Sequence, residues 1–165
     1  MSKLLFIIIG LALSSYSLSK ELAVNESSSG LKEGEAVLLK VHGKPLYMYK
    51  VNEQDLENLN ILDSHVFNSK RTPLVKEVGV FVVWAVSTKT RCLLKYMAPK
   101  TTTFGNTWLG GYYDPCGDVN YDISGRVIRT KEFTMNNYYN KYPNLKHPKA
   151  KHIEGTEIEI YNSGI

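Results

Sequence analysis

From Glu35 onward, apolar and polar positions fall into short runs with the length and residue types of β-strands. Ala36-Val37-Leu38-Leu39, continued by Lys40 and Val41, is one run. Pro45-Leu46-Tyr47-Met48-Tyr49 is a second, and Gly43 between them marks the turn of a predicted hairpin. Val78 to Val86 is almost unbrokenly apolar and rich in branched and aromatic residues, the pattern of a central strand covered on both faces. Near the end, Ile158 and Ile160 alternate with Glu157 and Glu159, which predicts one more half-buried strand. A helix is predicted only over Asn52–Leu62, where Leu56, Leu59 and Leu62 recur at spacings of three and Glu53 and Asp55 stand near the start. No internal repeat is present. The pattern is that of a mainly β domain.

The first residues follow a different rule. Lys3 precedes an apolar run, Leu4-Leu5-Phe6-Ile7-Ile8-Ile9-Gly10-Leu11-Ala12-Leu13, and no charge appears before Lys20. A membrane helix needs about 20 apolar residues, so this run is short unless Leu22-Ala23-Val24 extends it. A basic start, an apolar stretch and small residues at Ser14, Ser15 and Ser17 also fit a cleaved secretory signal. Residues 1–24 are therefore expected to be a hydrophobic anchor or a signal segment. The polar stretch 25–33 is expected to be a flexible linker, and 34–165 the globular head.

Composition narrows the function classes. With 165 residues, 43% hydrophobic and 22% charged, the chain has material for one domain with a real core. The net charge of +4 is spread among acidic residues with no long basic run, so no nucleic-acid partner is expected. The two cysteines, Cys92 and Cys116, suffice for one disulfide in an oxidising compartment or for a pair of buried thiols. Neither lies at compact metal-ligand spacing from His42, His65, His147 or His152, which argues against a zinc site. Asp118-Val119-Asn120-Tyr121-Asp122 begins like a calcium loop. Ile123 and Arg129 stand where such a loop needs glycine and glutamate, so a polar turn is expected instead.

One stretch is far more specific. Gly110-Gly111-Tyr112-Tyr113-Asp114-Pro115-Cys116-Gly117-Asp118-Val119-Asn120-Tyr121-Asp122-Ile123-Ser124-Gly125-Arg126 resembles the second cluster-binding loop of the Rieske proteins of quinol–cytochrome c reductase, G-G-Y/W-x-C-P-C-H-G-S-x-Y-D-x-S-G-R. The strand ending at Val86 runs into Ser87-Thr88-Lys89-Thr90-Arg91-Cys92, which is similar to the family's first loop, C-T-H-L-G-C, at Thr88 and Cys92. Gly43-Lys44-Pro45-Leu46-Tyr47 and Asn144-Leu145-Lys146-His147-Pro148 also resemble family segments. Where the family has a proline-rich third loop, this chain has Arg129 to Tyr142, and the connection Leu93–Tyr113 is longer than the family's.

The resemblance implies a Rieske-like antiparallel β-sandwich head with a short helix, preceded by one N-terminal hydrophobic, transmembrane helix. It also implies which positions would carry chemistry. A Rieske cluster takes two thiolates on one iron and two imidazoles on the other. The corresponding positions are Ser87 and Lys89 in the first loop and Asp114 and Gly117 in the second, a degenerate set with neither thiol nor imidazole. The family's remaining two loop cysteines, which join the loops as a disulfide, correspond to Cys92 and Cys116. The resemblance and the missing ligands together imply a non-redox accessory or structural subunit of a respiratory quinol–cytochrome c reductase, with no cluster or other cofactor and no enzymatic activity. Its expected partners are other subunits of that complex and the membrane. Its expected place is the mitochondrial inner membrane with the head on the intermembrane-space side. The alternative is a secreted or lumenal binding module that reuses the scaffold after signal cleavage. Lys89 and Asp114 are expected to form an ion pair across the site.

Overall fold

The computed structural model describes residues 23–100, 108–129 and 142–163. In chain order its elements are β1 (Ala23–Ser27), β2 (Ala36–Val41), β3 (Lys44–Lys50), α1 (Glu53–Ile61), a 3-10 turn (Leu62–His65), β4 (Leu74–Val75), β5 (Val80–Trp84), β6 (Lys95–Met97), β7 (Gly111–Asp114), β8 (Val119–Tyr121), β9 (Ala150–His152) and β10 (Glu157–Tyr161). The fold is mainly β with one short helix. Among the described residues no helix is long and apolar enough to cross a membrane. The apolar run before residue 23, expected as an anchor or signal, lies outside the described residues.

The strands divide among three antiparallel sheets, β1-β10-β9, β2-β3-β5-β4 and β6-β7-β8. Strand alternation explains how they stack. Leu46 and Met48 of β3 and Val80, Val82 and Trp84 of β5 share a core cluster with Ile158 and Ile160 of β10. The intervening residues Tyr47 of β3 and Val83 of β5 join Tyr112, Val119 and Tyr121 of the third sheet. Tyr49 and Phe81 pack with Leu59 of α1 and Ile123. The four-stranded sheet is thus the middle layer, and every residue of β5 is buried because both of its faces are covered.

The predicted hairpin forms as β2 and β3, turning at His42 and Gly43, both with positive φ. The predicted helix forms one residue inside its predicted limits. Asn52 caps it by accepting from the Asp55 N–H, and the Asp55 carboxylate accepts from the Asn52 N–H. Leu59 is buried, whereas Leu56 is exposed, so the leucine spacing marks only part of the packed face. The first three residues of the stretch 25–33, expected as a linker, lie in a strand. Asn25, Glu26 and Ser27 belong to β1, which pairs with β10 from Ala23↔Tyr161 to Ser27↔Glu157. Val24 and Leu31 pack against the first core cluster, and this apolar contact is enough to hold an otherwise polar edge strand.

The core is unusually phenolic. Tyr47 stacks on Tyr112 with ring centroids 5.1 Å apart, and Tyr96 contacts Tyr47, Tyr49 and Tyr112. Burial pushes the phenols of Tyr47, Tyr49, Tyr96, Tyr112 and Tyr121 above their ordinary range, Tyr96 and Tyr121 to about 12. A phenol whose folded pKa is raised contributes stability that is complete below pH ~10 and is lost as pH rises toward the folded value. In an alkaline titration followed by tyrosinate absorbance, this buried set is therefore expected to ionise only together with loss of the fold. A single smooth titration of all 11 tyrosines with the fold intact would contradict this core.

Candidate functional site

Both candidate loops leave strands of the layered core. After β5 the chain makes a closed turn: the Ser87 N–H donates to the Cys92 carbonyl (2.9 Å) and the Arg91 N–H to the Ser87 carbonyl (3.1 Å). Inside the turn, the Ser87 hydroxyl accepts from the Thr90 N–H at 3.2 Å. Arg91 takes a positive φ of 65° at the position where the family motif has glycine.

The second loop is the turn Pro115–Asp118 between β7 and β8. Gly111, at the start of β7, cannot be replaced without moving backbone. A Cβ on Gly111, whose φ is 147°, would lie 2.0 Å from the Tyr121 carbonyl oxygen. Asp114 then folds the turn, one carboxylate oxygen accepting from the N–H groups of Cys116 (3.0 Å) and Gly117 (3.2 Å). Asp114 is fully buried.

Two links join the loops. Cys92 and Cys116 form the disulfide, with Cα atoms 6.2 Å apart. Beside it, the Thr90 hydroxyl donates to the other Asp114 oxygen at 2.7 Å and accepts from the Cys92 N–H at 3.3 Å. Thr90 stands where the quoted family loop has leucine. Nothing in the sequence around it marks it as the partner of a carboxylate 24 residues away.

The expected Lys89–Asp114 ion pair does not form. The Lys89 ammonium lies over the ring of Tyr142, 4.1 Å from its centroid, while Asp114 is engaged by Thr90 and the turn N–H groups. Tyr142 is buried and seals the site. A Cβ built on Gly117 would stand 2.6 Å from the Tyr142 hydroxyl and 2.9 Å from its ring edge. The phenol thus fills the space that any side chain at position 117 would need. Gly117 has no positive φ, so its constraint is steric rather than torsional. Gly117→Ala is expected to cost about 1–3 kcal/mol by overpacking. Tyr142→Phe in the same chain should recover part of that, since the hydroxyl is the nearest atom. Equal denaturation midpoints for wild type and Gly117→Ala would show that Tyr142 does not close the site.

Behind the loops, Tyr121 projects a buried hydroxyl with no hydrogen bond of normal geometry. Burial chiefly raises its pKa, the Asp114 carboxylate adds to the shift, and Ser87 lies near enough to oppose it. The rest of the motif is structural. Asp122 accepts from the Ser124 N–H and hydroxyl, the Arg126 N–H and, at 2.7 Å, Arg126 Nε. Arg126, fully buried, also donates to Asp63 and to the Leu59 carbonyl (3.0 Å), fastening the motif to α1 and the 3-10 turn. Asp118 meanwhile accepts from the Tyr113 hydroxyl. The two aspartates of the calcium-like string thus serve separate local partners. No histidine joins a group of metal-capable residues among the described residues. Of the two segments singled out for divergence, most of Arg129–Tyr142 and part of Leu93–Tyr113 lie outside the described residues.

Layered sheets and two loops joined by a disulfide make up the described head. No family model matches the chain. Over 104 residues it is 32% identical to the tobacco (Nicotiana tabacum) proteins named cytochrome b-c1 complex subunit Rieske-3, mitochondrial, and subunit Rieske-1, mitochondrial. That alignment covers 60% of this chain and 35–36% of the relatives, so the chain spans about a third of the length of the curated relatives it matches. A chain of a solved hyperthermophilic respiratory complex III superposes with a TM-score of 0.46 at 16% identity, covering 91% of this chain and 82% of that one. The chain is a Rieske-like protein, similar to the Rieske subunits of a plant mitochondrial cytochrome b-c1 complex.

Proposed function

We propose that this chain is a cluster-free Rieske-like subunit that serves assembly or architecture in a respiratory quinol–cytochrome c reductase. The observation that carries this reading is the filled site. Ser87, Lys89, Asp114 and Gly117 offer a hydroxyl, an ammonium, a carboxylate and no side chain, which do not fit a centre requiring two thiolates and two imidazoles. Their surroundings fit it no better, since Lys89 and Tyr142 stack on each other and Tyr142 occupies the space beside Gly117. The disulfide and the Asp122–Arg126 network, which hold the scaffold, are both present. A head kept without its ligands acts through its surface and its attachments.

Similarity to b-c1 Rieske subunits supports the choice of complex and, with it, the mitochondrial inner membrane. Attachment through the apolar residues before 23, with the head on the intermembrane-space side, belongs to the same proposal. The purified full-length chain is expected to contain no stoichiometric iron and to give no Rieske-type paramagnetic signal after reduction. About two irons per chain would overturn the cluster-free reading. Gently solubilised membranes should yield the chain together with quinol–cytochrome c reductase subunits. Its isolation without them would favour the secreted or lumenal binding module. Deleting 131–141 should weaken that co-purification while leaving the head folded.

A further inference from the structure

The disulfide and the buried carboxylate beside it form the one group among the described residues with the composition of a metal site. The ligand-capable atoms of Cys92, Cys116 and Asp114 all lie within 4.8 Å of one another. We propose that, once the Cys92–Cys116 bond is reduced, the two thiolates and the Asp114 carboxylate bind a single zinc-type cation across the two loops. This assignment is independent of membership in a respiratory complex.

The geometry needs little rearrangement. A tetrahedral zinc ion with Zn–S bonds of about 2.3 Å separates its two sulfurs by about 3.8 Å. A disulfide holds them at about 2.0 Å. Rotation of the two side chains can supply that difference while the Cα atoms stay near their 6.2 Å separation. The carboxylate is already placed, because the Cys116 and Gly117 N–H groups fix one oxygen and the Thr90 hydroxyl orients the other. Asp114 is fully buried, and among the described residues no lysine or arginine forms an ion pair with it. Cys116 is exposed, which leaves a path for the ion and a fourth position for water.

The step balances as a two-electron reduction followed by exchange of protons for metal. A dithiol gives two electrons and two protons to the S–S bond and leaves as its own disulfide. Zinc then displaces one proton from each thiol. Binding is therefore closed to the oxidised protein and tightens as pH rises.

Cobalt(II) is a suitable probe, because thiolate ligation gives it charge-transfer absorption. Full-length chain, reduced and freed of reductant without oxygen, is expected to bind one equivalent with tetrahedral and thiolate signatures that zinc abolishes. Oxidised chain should show none. Asp114→Asn should weaken binding about tenfold or more, and Cys92→Ser, which leaves one thiolate, should weaken it and roughly halve the charge-transfer band. Circular dichroism run alongside reports the fold: if reduction loosens it, zinc should restore it. Reduced wild type without a charge-transfer band, Asp114→Asn binding as tightly as wild type, or a reduced fold that zinc fails to restore would each overturn the assignment.

Discussion

Replacing Arg126 with alanine is expected to lower the unfolding free energy by about 3–5 kcal/mol, a shift of roughly 10 °C in midpoint for a chain of this size. The guanidinium and the Asp122 carboxylate that binds it are both fully excluded from solvent. Truncation would leave that carboxylate buried without its countercharge, and would also strip a donor from the Leu59 carbonyl and a partner from Asp63. Lysine should recover little, because a single ammonium cannot reach Asp122, Asp63 and Leu59 together with the directionality of a fork. Chemical denaturation of the three proteins checks this. A loss below about 1 kcal/mol in the alanine variant would mean the pair contributes no more than a surface bridge.

Breaking the Cys92–Cys116 link by replacing both residues with serine is expected to cost about 2–5 kcal/mol. Closing a loop of sequence separation 24 contributes about 3 kcal/mol in the chain-entropy model. The native side adds to this, since the bond keeps Thr90 beside Asp114 and so preserves the second link between the loops. Unfolding with and without reductant, compared with the double serine variant, should give the same loss. Full stability in the variant would indicate that Thr90–Asp114 and the Lys89–Tyr142 stack hold the loops unaided.

How much of the fold and site is legible in the chain depends on the range of the forces involved. The β2–β3 hairpin, α1, the buried β5 and the alternating β10 are encoded within a few residues of themselves, by turn glycines, a capping box and strand period. The second loop is legible for a similar reason: its glycines and Asp122 act on backbone at most a few residues away. The closure of the site is not. Tyr142 reaches Gly117 from beyond a stretch of polar and aromatic residues, and nothing local distinguishes it from the other ten tyrosines. Charge alone directs Lys89 to the nearest opposite partner. Asp114 instead sits below the surface in its own turn, leaving an aromatic face as the more accessible partner. The strand Ala23–Ser27, which runs into the stretch expected as a linker, is not legible because its one inward apolar residue, Val24 opposite Ile160, is followed by polar residues only.

That edge strand also fixes how the domain is attached to whatever adjoins it. Ala23 sits directly across from Tyr161, so the two ends of the described domain emerge side by side, at one corner of the first sheet. Attachments made before β1 or after β10 meet at the same point of the domain's surface, and neither can be pulled without loading the strand that holds the other. Joining Tyr161 to Ala23 through a short turn, with new ends opened at Glu154–Gly155, is expected to preserve the β1–β10 ladder that links them.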